Sequence, residues 1–314
     1  MRSKLVLSLV GLLLASSAAA EETKGYRVLA QDNGHVALIE ADGKVSWEVP
    51  CRHNSHDIQV LENGNFLLHT APTTVVEMTP KKEIVWQYTA KAKPRYDGGL
   101  EVHAFQRLPD GNTMVAVSGN RQIVEVSPEG KIVKTIDLKV DHPHPHRDTR
   151  MVRKLETGNY LVCHEGDGCV REYDGDGKVV WTYTLDLAGR PRHDGHGVEG
   201  HGTEVFGALR LKSGNTLIAA GNGNRVIEVT PEGKTVWALE QKELPGITLA
   251  WVTTLHALPN GNIIFGNCHA GPENPQLIEV TRDKEVVWTF KDHEHFGNSL
   301  AVAQVLGVPE GTQR

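Results

Sequence analysis

The sequence predicts an all-β fold: a six-bladed β-propeller with four-stranded blades, its first blade closed by strands from the two ends of the chain. Three observations predict it. Turn glycines preceding asparagine recur at Gly64, Gly111, Gly158, Gly214 and Gly261, at spacings of 47, 47, 56 and 47 residues. Glu77, Glu125, Glu172, Glu228 and Glu279 each stand nine residues before Trp86, Lys134, Trp181, Trp237 and Trp288. The stretches between turns are short and rich in Val, Ile and Thr. A period in the forties with about four short strands per unit is the signature of a propeller blade.

One repeat shows the strand order. Residues 203–211 read as the inner strand, 215–220 as the second, 225–229 as the third and 234–239 as the outer one, with a turn-forming dipeptide at each boundary. Residues 26–48 supply only three strands, and 298–306 an inner strand with nothing after it. Joined, they complete one blade and leave no free edge in the ring. The Trp series reads as one bulky outer-strand residue per repeat interface, and the repeating Glu likewise as structural.

Residues 1–20 read as a secretory leader: basic Arg2 and Lys4, an apolar run from Leu5 to Leu14, and Ala18-Ala19-Ala20 before cleavage near Ala20-Glu21. The run is too short for a membrane-spanning helix. The expectation is a single propeller domain over 21–314 in a periplasmic or secreted protein. Loss of Arg2 and Lys4 takes the formal charge from −6 to −8, which argues against a nucleic-acid partner. The expected partner is a small molecule or carbohydrate. In an oxidising compartment Cys163 can bridge Cys169 and Cys51 can bridge Cys268, or all four stay inert thiols. Metal ligation by Cys51 or Cys268 is the rival reading.

The sixteen histidines all avoid the two series of tight turns, of which Asn63-Gly64-Asn65 and Asp176-Gly177-Lys178 are examples. In a propeller those turns share one face, so the histidines belong to the other, built of long irregular connections. Loops of that kind on a rigid scaffold commonly carry function. Where the connections enter the inner strands, equivalent positions hold His56, His103, Arg150, Phe206, Thr253 and Ala301. A deeper ring holds Gln59, Gln106, Arg153, Leu209, His256 and Gln304. Half of the channel is thus polar, which suits a pocket for an anionic or metal-bound ligand.

His56, His103, Arg150 and His256 are the candidate catalytic residues, and Gln59, Gln106, Arg153 and Gln304 the candidate substrate contacts. Neutral histidines such as His56, His103, His146 and His201 can hold Zn, Mn or Cu, which accept imidazole. Without metal, a channel histidine can attack a sulfuryl or phosphoryl group while Arg150 and Arg153 stabilise the anion. A purely binding propeller is the third alternative. The His142-Pro143-His144-Pro145-His146 stretch either presents ligands or holds an extended loop.

The Gly-Lys-x-Val-Trp endings at 177–181 and 233–237 resemble the repeats of pyrroloquinoline-quinone enzymes. Those enzymes have eight blades and an adjacent-cysteine pair, so no quinone cofactor is inferred for six blades without Cys-Cys. His56-Asp57-Ile58 leading to Leu61-Glu62-Asn63-Gly64-Asn65, and His256-Ala257-Leu258-Pro259-Asn260-Gly261-Asn262, are similar to motifs of the arylsulfotransferase branch of propellers. That resemblance implies an exported six-bladed fold with a channel histidine as transient sulfuryl acceptor, drawn from His56, His103 and His256, and Arg150 on the sulfate. A second resemblance, to propeller polysaccharide lyases, implies a channel metal held by histidines and a glutamine against a uronate carboxylate.

Overall fold

Each repeat folds as a four-stranded antiparallel sheet, and six such sheets form a ring in the computed structural model, which describes residues 25–53 and 55–314. The leader read at 1–20 lies outside the described residues. The first blade takes its inner strand from Val302–Leu306 and its other three from Arg27–Asp32, His35–Ile39 and Val45–Pro50. Among the described residues no helix is long and apolar enough to cross a membrane. One short helix, His293–Phe296, interrupts the connection back to the first blade.

The Gly-Asn turns need a left-handed residue, and glycine supplies it at φ +81 to +90° at Gly64, Gly111, Gly158, Gly214 and Gly261. Inner strands are shorter than the sequence suggests. In the fifth blade pairing covers Gly207–Arg210 rather than 203–211. The cause is Gly221, whose left-handed backbone (φ +51°) turns its N–H to Val252 O of the next blade and ends the ladder.

The Glu and Trp series proves to be an inter-blade latch. Within a blade the two residues are directly cross-strand, as in Glu77 with Trp86 and Glu172 with Trp181. The glutamate accepts from the turn asparagine of its own blade, Asn65, Asn159, Asn215 or Asn262. A cation from the following blade then reaches it: Arg107 on Glu77, Lys154 on Glu125, Arg210 on Glu172 and Arg282 on Glu228. Three of these cations also lie over the tryptophan, Arg210 at 4.7 Å from the Trp181 ring centre. The indole N–H donates across the seam, from Trp47 to Pro80 O, Trp86 to Ser127 O, Trp181 to Pro231 O and Trp237 to Arg282 O. The seams at Trp86, Trp181 and Trp237 thus combine ring packing, a charge pair and a fixed register.

The deeper ring is also scaffold. Gln59, Gln106 and Gln304 turn their amide oxygens to the main-chain N–H of Arg107, Lys154 and Val60 on the neighbouring inner strands. His256 Nε2 accepts from Val305 N in the same way. Arg153 forms a two-pronged ion pair with buried Asp57, which also accepts from Ile58 N and Phe105 N. The groups predicted to contact substrate therefore brace the ring, because inner strands of adjacent blades diverge and leave N–H groups that only a side chain can reach. Arg314 closes this end of the channel, its guanidinium touching Ile58 O, Gln304 and Asp57.

The four cysteines are buried free thiols, so neither Cys163–Cys169 nor Cys51–Cys268 is bridged. Burial pushes the Cys169 thiol up to about 11, the behaviour of an inert core residue.

Candidate functional site

Above the brace ring, on the face of the long connections, lies a cavity of about 230 Å³ lined by His56, His146, Arg150, His196, Phe206, Trp251 and His269, among others. A second lobe of about 240 Å³ shares His146, Arg150, His196 and Trp251 with it and adds Arg147, Arg192, Glu204 and Asn222. A larger hollow of about 540 Å³ sits off the axis between Arg190, Glu240 and Lys242, with no histidine in its wall.

Three local features build the site. Asp57 pins the entry to the second blade, so that His56 stands at the cavity floor just before the short strand Gln59–Val60. In the third blade Glu101 and His103 are two apart on one strand, and the pairing slips between Val102 and Ala104. A bulge at that point re-aims the side chain of His103. In the connection to the fourth blade, Asp148 accepts from His144 N and from Gly119 N, tying a tight turn that presents His146 and Arg150.

The result is a cluster. The ring of His56 lies 4.6 Å from that of His103 and 5.7 Å from that of His146. Glu101 Oε2 is 2.8 Å from His103 Nε2 and 2.8 Å from His146 Nδ1. Arg150, buried and paired with Glu165, donates to His146 O and stands 3.0 Å from His103 Nδ1. Glu101, His103 and His146 offer ligand atoms that all lie within 4.8 Å of one another, a donor set suited to a divalent metal.

The electrostatics follow from burial. Desolvation, reinforced by Arg150 and then His103, drives the His56 imidazole well below its ordinary range. Desolvation and Arg150 likewise pull His103 down to about 4 against the pull of Glu101. Burial opposes ionisation of Glu101, but the hydrogen bonds of His103 and His146 prevail and hold it far below the usual carboxylate range. The site combines the neutral imidazoles of His56 and His103 with the His146 ring, the Glu101 carboxylate and the Arg150 guanidinium. His56 makes no hydrogen bond among the described residues, which leaves both of its nitrogens to a ligand.

His56, His103, His146 and Arg150 come together as the sequence suggested, whereas His201 and His256 do not join them. His201 is buried with Nε2 bonded to Leu187 O, so the expected metal quartet is not formed around it. His256 lies below, beside a space of about 20 Å³ that it shares with His56 and Arg314. His142 is exposed against Asp167, and buried His164 bridges Asp148 O and Tyr173, so these are structural. Glu101, Glu165 and Trp251 were not foreseen. The alternation of Glu101 with His103 along a strand, which places both on one face, was the available signal for the first of them.

Similarity to known proteins agrees with this architecture. The structure resembles that of a protein of unknown function from Bacteroides caccae, at TM-score 0.74 and 24% identity over 90% of this chain and 99% of that one. It also resembles a catalytically inactive His-to-Ala variant of virginiamycin B lyase from Staphylococcus aureus in complex with quinupristin. That likeness has TM-score 0.54 and 12% identity over 87% of this chain and 86% of that one. At these identities the likeness is one of fold. No protein of curated function matches the sequence significantly. The family model described as outer membrane protein assembly factor BamB matches residues 32–290, and the chain therefore belongs to this PQQ_2 family of β-propeller proteins.

Proposed function

We propose that the protein is an enzyme that binds an anionic small molecule or sugar derivative in the channel-mouth cavity and uses His56 to act on its anionic group. The observation that carries this reading is the state of His56: uncharged, at the cavity floor, free of hydrogen bonds among the described residues, and beside the Arg150 cation. A neutral imidazole with a free lone pair is a competent nucleophile, and a fixed guanidinium is the complement of a sulfuryl or phosphoryl oxygen. The leader read at residues 1–20 would place this activity outside the cytoplasm.

For an aryl ester the step is a two-stage transfer. The His56 lone pair forms a bond to sulfur or phosphorus, and the bond from that atom to the phenolic oxygen breaks, its electron pair leaving with the phenolate. An acceptor hydroxyl then forms the new ester bond, the pair returns to His56, and the acceptor's proton passes to the phenolate or to solvent. Arg150 faces the charge on the transferring group throughout. The test is 4-nitrophenol release from its sulfate and phosphate esters, with and without a phenolic acceptor. Turnover should fall by about 10²-fold or more in His56→Asn while the fold is retained. Unchanged turnover in that variant would remove His56 from the mechanism.

A further inference from the structure

We infer that Glu101, His103 and His146 form a three-ligand site for a divalent transition-metal ion whose open coordination positions face the cavity. The site rests on how three donor atoms converge. His103 Nδ1 is 2.7 Å from Thr149 O, an acceptor, and 3.0 Å from Arg150 Nη1, a donor. The shorter contact, to Thr149 O, places a proton on Nδ1 and leaves Nε2 to the carboxylate. Nε2 faces Glu101 Oε2 at 2.8 Å. A contact that short between a ring nitrogen and a carboxylate oxygen is closed by a proton or by a metal ion.

His146 Nδ1 meets the same carboxylate oxygen at 2.8 Å, so a single ion serves all three donors. Donors about 2.1 Å from a common ion lie about 3.0–3.4 Å apart, so an ion needs the two Glu101 contacts to open by a few tenths of an ångström and the two imidazole nitrogens, which lie within 4.8 Å, to settle in the same range. Each imidazole keeps one proton on binding, carrying it on the nitrogen away from the metal. For His103 that proton goes to Thr149 O, the backbone-carbonyl arrangement that orients metal-bound histidines. For His146, whose side chain is half-exposed, it goes to solvent. Two histidines and one carboxylate with positions left open is the donor set of catalytic rather than structural sites. His146 and Arg150 extend from the cluster into the cavity wall, so a bound ion would stand beside an anionic ligand there. The site stands on its own geometry whether or not His56 performs transfer.

The test is calorimetric titration of tag-free, chelator-stripped full-length protein with Zn²⁺, repeated with Mn²⁺ and Cu²⁺. One equivalent of at least one ion should bind. Glu101→Gln and His146→Ala should each weaken it about ten-fold or more. His146 is exposed, so its replacement keeps the fold, which circular dichroism checks. The paired variant His142→Ala with His144→Ala, in the same proline-rich stretch, should bind as the parent does. Absence of uptake for all three ions would overturn the site. So would unchanged affinity in both ligand variants, or loss confined to the His142/His144 pair.

Discussion

At the residue scale, the same side-chain types serve two ends according to depth in the channel. Asp57 shows the structural use most plainly: its carboxylate holds two main-chain N–H groups and the Arg153 guanidinium in a buried position. Replacing Asp57 by Ala leaves the largely covered Arg153 guanidinium with its main counter-charge gone. A loss of about 3–5 kcal/mol in denaturant unfolding is expected. His56, one residue earlier, shows the functional use, since it makes no such bond and its replacement by Asn should leave the unfolding midpoint nearly unchanged. The contrast between these two neighbours tests the division between brace and site. Equal destabilisation by both would erase it.

At the level of elements, stability resides in the seams between blades. Arg210 pairs with Glu172 at 2.7 Å and covers Trp181, whose indole holds Pro231 O in the next blade. Arg210→Ala should cost about 1–3 kcal/mol, and Arg210→Lys should recover only part because an ammonium cannot stack on the ring as a guanidinium does. Chemical denaturation of the two variants measures this. The seam also explains what was readable in the sequence. The blade count, the split first blade and the Glu–Trp register follow from turn chemistry and a constant period, and these are local. Strand ends were less legible, since Gly221 ends the fifth inner strand by bonding to the next blade. The roles of Gln59, Gln106 and Gln304 were hidden for a similar reason. Whether an amide oxygen meets a ligand or a neighbouring strand's N–H depends on inter-blade geometry that no single segment encodes. The site was legible as one residue per blade at His56, His103 and Arg150. Glu101 and the exclusion of His201 needed the bulge and the loop path.

Across the whole molecule, the buried histidines carry a stability cost in acid. His164 and His256 are fully buried and held to about 4 and about 3, in both cases chiefly by desolvation. Their folded values lie below that of an unfolded chain, about 6.5, so the unfolded state takes up protons first as pH falls. Stability from these groups is complete above about pH 6.5 and is lost progressively toward pH 4, on the order of 3 kcal/mol per residue. Denaturant midpoints should stay level from pH 7.5 to about 6.5 and fall steadily from there to pH 4.5. His164→Gln should flatten that fall, and a parent protein indifferent to pH over this range would contradict the buried neutral state.

The polarity of the ring gives these scales one logic: stereotyped turns and braces close one end of the channel, while long connections leave the other end open to a ligand. The central claim is that His56 at that open end does chemistry on an anionic group. Steady-state release of 4-nitrophenol from 4-nitrophenyl sulfate and 4-nitrophenyl phosphate, by the parent protein and by His56→Asn at matched folded concentration, tests it most directly. Turnover of at least one ester by the parent, lost by about 10²-fold or more in the variant, is the predicted result. No turnover of either ester, or equal turnover by both proteins, would contradict it.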